Sequence, residues 1–252
     1  MQLHRCVVGL GWSILTGNVS MIDRWLCKLE LALLRRAPNY SVSIRSRRFH
    51  TIKNDVLFLE LFERLRKQGV IIQSVSEAYN LWQLCPQTAR VEGDVAEVGV
   101  YLGGTARLLS QVKGNRRLFL FDTFGGMPEV KAGVDKVHAG TFAETRLGDV
   151  QNLMQDQQGV HFCPGFFPGT TSLLPADAQR FSFVHLDVDI YQSTLDGLKY
   201  FYPRMSPGGM IVSHDYRYLQ CPGVRQAYSE FFVDKPEPLI ELWDTQCLVV
   251  KI

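Results

Sequence analysis

No C-x-x-C pair occurs among the six cysteines, Cys6, Cys27, Cys85, Cys163, Cys221 and Cys247. Their wide spacing argues against a disulfide framework, and several sit in apolar runs, where a free thiol behaves as a small hydrophobe. A reducing, cytoplasmic setting is expected. No low-complexity tract and no internal repeat interrupts a chain of 46% hydrophobic and 21% charged residues, which is the composition of an ordinary soluble globular protein. A net charge of +2 is too small to point to nucleic acid. No apolar run spans a bilayer: the opening "MQLHRCVVGLGWSILTGNVSMIDRW" is short and broken, and it lacks a small-x-small cleavage site.

What charge there is lies unevenly. Residues 1–48 carry eight basic residues against Asp23 and Glu30, so the head is +6 and the rest, with 19 basic and 23 acidic residues, is −4. Such a head suits an anionic surface, a partner or an acidic substrate, and more readily a solvated flank packed on the body or on a second subunit. At 252 residues the chain is long enough for one large domain with a small appendage.

Three zones are expected: a basic, helical N-terminal extension over 1–50, a helical cap over 51–91, and the main domain over 92–252. In "DVLFLELFERLRKQGV" the periodicity places Val56, Leu57, Leu59, Leu61, Phe62 and Leu65 largely on one face, with Gly69 as a stop. Beyond residue 92, short apolar runs alternate with helical segments. Strands are predicted over 94–100, 117–121, 160–163, 181–187, 208–213, 239–243 and 247–252, and helices over 104–112, 145–157, 193–202 and 223–232. This is the pattern of an α/β fold: a doubly wound, mostly parallel seven-stranded sheet, Rossmann-like, with a closing antiparallel hairpin and an N-terminal helical extension.

"EVGVYLGGTARLL" reads as a strand, a glycine turn and a helix start. Gly99, Gly103 and Gly104 allow a tight turn and a close approach to a ligand. Their spacing is not the G-x-G-x-x-G of dinucleotide binders. Glu97, just before the first glycine, would repel a phosphate and suits an ammonium group. "LFLFD" then ends on Asp122, placed to accept both hydroxyls of a ribose. A nucleoside joined to an amino acid fits these acids, and S-adenosyl-L-methionine is such a molecule.

"FVHLDVDIYQST" raises a different question, because ionised carboxylates are costly in a buried segment. Strict alternation puts His185, Asp187 and Asp189 on one side, and the carboxyl end of a strand is where they can face a ligand. One crossover later "PGGMIVSHDY" ends on His214 and Asp215. On neighbouring strands, Asp187, His214 and Asp215 can converge on one divalent ion, Mg²⁺ or Mn²⁺ by their oxygen-rich character, leaving Asp189 to take a proton. The plainer alternative is that one acid caps the following helix and another pairs with an arginine.

From residue 92 to the C-terminus the chain resembles the macrocin O-methyltransferase family, class I enzymes that methylate hydroxyls of natural-product sugars. The resemblance is carried, in order, by "GDVAEVGVYLGGTARLL", "LFLFDTFGGMPE", "PGFFPGTT", "HLDVDIYQSTLDGLKYFYPRMSPGGMIVSHDY" and "PGVRQAYSEFF". It implies a cofactor site lined by Glu97, Gly99, Tyr101, Gly103, Gly104, Thr105, Asp122, Thr123 and Gly165. It also implies metal ligation by Asp187 and Asp215, with Asp189 as general base. Where the sugar enzymes carry two adjacent aspartates this chain has His214–Asp215, and imidazole favours Mn²⁺, Fe²⁺ or Zn²⁺ over Mg²⁺.

The expected activity is methyl transfer to a hydroxyl of a small-molecule acceptor, a sugar or a phenol. A metal-dependent glycosyltransferase using Asp187 and Asp189, and a cofactor-binding relative without turnover, are the competing readings. Tyr79, Trp82, Phe142, Tyr191, Tyr216 and Tyr218 are available to wall an acceptor pocket or to serve as core. Residues 127–150 form a long connection, a lid or a surface loop. The extra N-terminal helices leave room for a homodimer.

Overall fold

In the computed structural model, which describes Ile52 and residues 55–128 and 134–252, each apolar run becomes one strand. β1 (Asp94–Val98), β2 (Leu118–Asp122), β3 (Val160–Pro164), β4 (Phe181–Leu186) and β5 (Met205–Ser213) run parallel. β6 (Ile240–Glu241) and β7 (Cys247–Val250) pair antiparallel, and β7 joins β5. The order is β3-β2-β1-β4-β5-β7-β6, the seven-stranded, doubly wound class expected. The basic extension over 1–50 lies outside the described residues.

Two helical layers explain why the strands read as unbroken apolar runs: both sheet faces are covered. β1 and β4 are buried at every position. On one face Leu81 and Cys85 of α2 (Val75–Gln87), Ala106 and Leu109 of α3 (Gly104–Val112), and Val150 of α4 (Leu147–Leu153) pack against Val95, Leu120, Phe183 and Val212. On the other, Leu198 and Phe201 of α5 (Tyr191–Phe201) and Val224 and Tyr228 of α6 (Pro222–Phe231) meet Ala96, Phe121, Phe181 and Ile211. Each large side chain so buried contributes about 1.5–3 kcal/mol. Cys85, Cys163, Cys221 and Cys247 are buried free thiols.

α1 (Val56–Lys67) packs differently from the sequence expectation. Phe58, Leu61, Phe62 and Leu65 are buried, whereas Val56 and Leu57 are 59% and 73% exposed. Spacing of i, i+3, i+4, i+7 from Phe58 is the stripe a helix can bury. Phe58 anchors it against Tyr79 and Trp82 of α2, at 4.9 and 5.7 Å between ring centroids. Asp55 caps α1 through the Phe58 amide and accepts a 2.8 Å bond from the Trp82 indole, which fixes α1 on α2. Residues 55–252 form one compact unit, so these helices belong to the same body as the sheet. Among the described residues no helix is long and apolar enough to cross a membrane.

Candidate active site

Strand order reverses between β1 and β4, and in open α/β sheets the crevice beyond such a switch point is where ligands sit. Here the two strand ends are in direct contact. The Asp187 amide donates to Val98 O at 2.8 Å. Gly99 has φ +86°, and a Cβ added to it would lie 1.7 Å from the Asp187 carbonyl oxygen. Gly99 is therefore required by the protein's own β4 end. The same holds for Gly104, whose Cβ would meet Val70 O at 2.4 Å, and for Gly103 against Val150 at 2.8 Å. These glycines admit the chain itself, and so draw the turn, α3 and the end of β4 together.

Asp122 holds the turn. Its Oδ2 accepts from the amides of Val100 and Tyr101 at 2.7 and 2.9 Å, and its Oδ1 from Phe124 at 2.7 Å, with the Thr123 hydroxyl at 3.5 Å. Oδ2 takes two amides at ordinary length and Oδ1 only one, so Oδ1 has the freer lone pair for a ribose hydroxyl. Gly165 ties in the next strand by donating to Asp122 O at 2.8 Å, and Thr123 donates to Gly126 O at 2.7 Å. Tyr101 is held by the connection after β2. Its hydroxyl bonds Glu144, its ring meets Phe142 edge-on at 5.0 Å, and its carbonyl accepts from Thr145.

Glu97 has a partner within the chain. Parallel register sets it beside His185, and the two side chains, both completely buried, meet at 2.8 Å. Burial pushes the Glu97 pKa up, while His185 and the hydroxyl of the buried Thr105 pull against it. Oε2 is left without a hydrogen bond of ordinary geometry.

β4 stops at Leu186, so the alternation expected to carry His185, Asp187 and Asp189 on one side fails. Asp189 and Asp215 both adopt left-handed φ, 59° and 60°, which turns the chain out of each strand. Aspartate tolerates that conformation better than most residues. Donor atoms of Asp187, His214 and Asp215 lie within 4.8 Å of one another, and so do those of Asp189, Asp215 and Cys221. Asp187 and Asp189 fall in two clusters that share Asp215.

His214 stands between carboxylates. Its Nδ1 is 3.1 Å from Asp187 Oδ1 and 3.1 Å from Asp215 Oδ1, and its Nε2 is 3.3 Å from Glu77 Oε1. Both ring nitrogens are buried without hydrogen-bond geometry. Burial acts to discharge the ring, but Asp187, Asp215 and Glu77 outweigh it and hold His214 well above the ordinary range. Burial likewise opposes the Asp187 charge, yet His214, His185 and the Gln73 amide keep its pKa below the usual carboxylate range. Asp189 moves the other way: burial first, then Asp215 and Asp187, raise it well above that range.

The donor set fits a divalent ion that displaces the proton which Asp187, Asp215 and Glu77 favour on His214. Adjacent ligands of a six-coordinate ion of Mg²⁺ size are about 3 Å apart, which matches the separations around Nδ1, and the orphaned nitrogen has two carboxylate oxygens flanking it. Sequence reasoning missed Gln73, whose amide donates to Asp187 Oδ2 at 2.7 Å from 114 residues away, and Glu77. The Ser74-x-x-Glu77 capping box was legible as a helix start, but not its contact with His214. Of the aromatic candidates, Tyr79 and Trp82 serve the α1–α2 packing, Tyr216 packs on Tyr228, Tyr191 bonds Glu230, and Tyr218 is exposed.

A family model described as macrocin-O-methyltransferase (TylF) matches residues 80–248. The chain belongs to the macrocin-O-methyltransferase family. That match contains every sequence-predicted site residue from Glu97 to Asp215 and leaves Gln73 and Glu77 before its start. Among relatives, the chain is 36% identical over 160 residues to an 8-demethyl-8-(2,3-dimethoxy-alpha-L-rhamnosyl)-tetracenomycin-C 4'-O-methyltransferase of Streptomyces olivaceus, covering 55% of this chain and 60% of that one. It is 32% identical over 158 residues to a demethyldecarbamoylnovobiocin O-methyltransferase of Streptomyces niveus, covering 56% and 58%. The matches therefore span about three-fifths of the length of these relatives. The solved O-methyltransferase NovP shares the fold, with a TM-score of 0.61 at 24% identity over 71% of this chain and 80% of that one.

Proposed function

We propose that this member of the macrocin-O-methyltransferase family moves a methyl group from S-adenosyl-L-methionine to a hydroxyl of a natural-product sugar or related small molecule. The observation that carries the reading is the contact of Gly99 with Asp187, because it sets the cofactor turn beside the acid cluster. The donor's sulfonium supplies an electrophilic methyl carbon. A divalent ion would be held by Asp187, His214 and Asp215, where it supplies a Lewis acid that lowers the pKa of an alcohol.

The chain's own residues do the rest. Asp122 Oδ1 and the turn amides it fixes orient the nucleoside, and Thr123, Gly165, Gly103, Gly104 and Thr105 shape its surroundings. Asp189 takes the hydroxyl proton: burial, Asp215 and Asp187 raise its proton affinity above that of an ordinary carboxylate, which strengthens it as a base. Placement of the acceptor oxygen close to and in line with the methyl carbon provides much of the rate. The described part of the 127–150 connection, through Phe142, Glu144 and Thr145 on Tyr101, covers the turn as a lid.

Methyl-labelled S-adenosyl-L-methionine, offered with a rhamnosylated polyketide, a nucleotide sugar and a catechol, with and without Mn²⁺ or Mg²⁺, tests the reading. Label recovered on a hydroxyl oxygen is the expected result. Binding of S-adenosylhomocysteine without transfer to any acceptor refutes it and leaves a cofactor-binding relative without turnover.

A further inference from the structure

The segment 70–77 runs past both halves of the site. Its Val70 carbonyl and Ile71 side chain fill the space beside Gly104 at the start of α3. Gln73 Nε2 then donates to Asp187 Oδ2 at 2.7 Å, which leaves Asp187 Oδ1 facing His214 Nδ1 at 3.1 Å. One turn on, Glu77 Oε1 faces His214 Nε2 at 3.3 Å, on the opposite side of the ring from the aspartates.

The segment is itself held firmly. Arg66 donates to Gln73 O at 2.6 Å. The hydroxyls of Ser74 and Ser76 bond Asp244 Oδ2 at 2.8 and 2.6 Å. Glu77 divides its carboxylate: Oε2 accepts from the Ser74 amide at 3.1 Å in the capping box, and Oε1 accepts from the Thr245 hydroxyl at 2.5 Å. A carboxylate anchored at both oxygens cannot swing away from the imidazole. An acceptor behind a ligating imidazole fixes its tautomer and orientation, and second-shell groups of this kind set metal affinity.

We infer that Gln73 and Glu77 are positioning residues of the cation site, Gln73 aiming the Asp187 carboxylate and Glu77 the His214 ring. The inference rests on the proposed ion at Asp187, His214 and Asp215. It assigns a functional part to the loop and first turn of α2, which precede the family match, and makes the site incomplete without them.

Calorimetric titration of Mn²⁺ into the full-length wild-type protein, Gln73→Leu and Glu77→Gln is the test, with S-adenosylhomocysteine affinity, melting temperature and the visible spectrum of Co²⁺-loaded protein measured alongside. Each variant should bind Mn²⁺ about 10–100-fold more weakly, with a shifted Co²⁺ spectrum and S-adenosylhomocysteine affinity within about twofold of wild type. Unchanged Mn²⁺ affinity, with only a lower melting temperature, overturns the inference, as do equal losses for both ligands. If Glu77→Gln fails to fold, Gln73→Leu decides alone, because Gln73 caps no helix. A wild-type protein that takes up no Mn²⁺ sinks the metal reading itself, and that arm is read before any variant.

Discussion

Gly99→Ala is the substitution that most directly probes how the site is assembled. The new Cβ would lie 1.7 Å from the Asp187 carbonyl oxygen and 2.6 Å from its carbon, and ordinary contact begins at 3.4 Å, so the shorter separation has to double. Backbone, not a flexible side chain, is in the way. The shift breaks the 2.8 Å bond from the Asp187 amide to Val98 O, worth about 1–3 kcal/mol when a buried group loses its partner. A side chain at φ +86° adds about 1–2 kcal/mol. Together the loss is about 2–5 kcal/mol, or about 5–15 °C in melting temperature for a domain of this size. Gly114→Ala is the control: its φ is +64° and nothing lies within 4 Å of the added Cβ, so it carries the conformational cost without the collision. Urea unfolding of the two variants isolates the contact. Should Gly99→Ala lose no more stability than Gly114→Ala, the claim that β1 and β4 meet through this glycine is wrong.

Asp189→Asn should lower kcat by about 10²–10⁴-fold while S-adenosylhomocysteine affinity holds, and steady-state rates beside calorimetry check it; parallel losses reject the residue as base. His185→Leu removes the hydrogen-bond partner of the fully buried Glu97 carboxyl and should cost about 1–3 kcal/mol in urea unfolding. Glu97→Gln together with His185→Leu should recover part of that loss. Glu237 supplies a pH signature away from the site. Its buried carboxylate accepts from Lys251 at 2.5 Å and Tyr202 at 2.7 Å. Burial opposes its charge, but these partners bring its pKa from 4.5 down to about 2. A depressed acid stabilises fully above its unfolded pKa and loses that contribution as pH falls through the folded one. Glu237→Gln should therefore be less stable than wild type by on the order of 3 kcal/mol at pH 7, with a gap that is flat above pH ~5 and shrinks steadily below pH ~4; a gap independent of pH refutes the pairing.

Strands and their order of faces were legible because parallel strands covered on both sides must be largely apolar, as β1 and β4 are apart from Asp94, Glu97, Ser182 and His185. Helix α3 was legible to the residue, since glycines precede it and its apolar positions repeat. The closing hairpin was readable from two short runs around "DTQ". Which face α1 buries was not, because Phe58 gains its place from Tyr79 and Trp82, side chains of another helix. Asp189 escaped the period-two rule because β4 ends at Leu186, after which the chain turns out with a left-handed φ at Asp189. The convergence of Asp187, His214 and Asp215 followed from adjacent parallel strands. Glu97 with His185, and Gln73 and Glu77 with the acids, are pairs of residues far apart in the chain, and register or packing alone brings them together.

One measurement bears on the whole account: a crystal structure of the protein soaked with S-adenosylhomocysteine and Mn²⁺, with data collected at the manganese absorption edge. A nucleoside beside Asp122 Oδ1, and an anomalous peak among Asp187, His214 and Asp215 with Asp189 facing the donor's sulfur, is the result predicted. Cofactor density elsewhere on the sheet, or manganese bound away from those three residues, contradicts it.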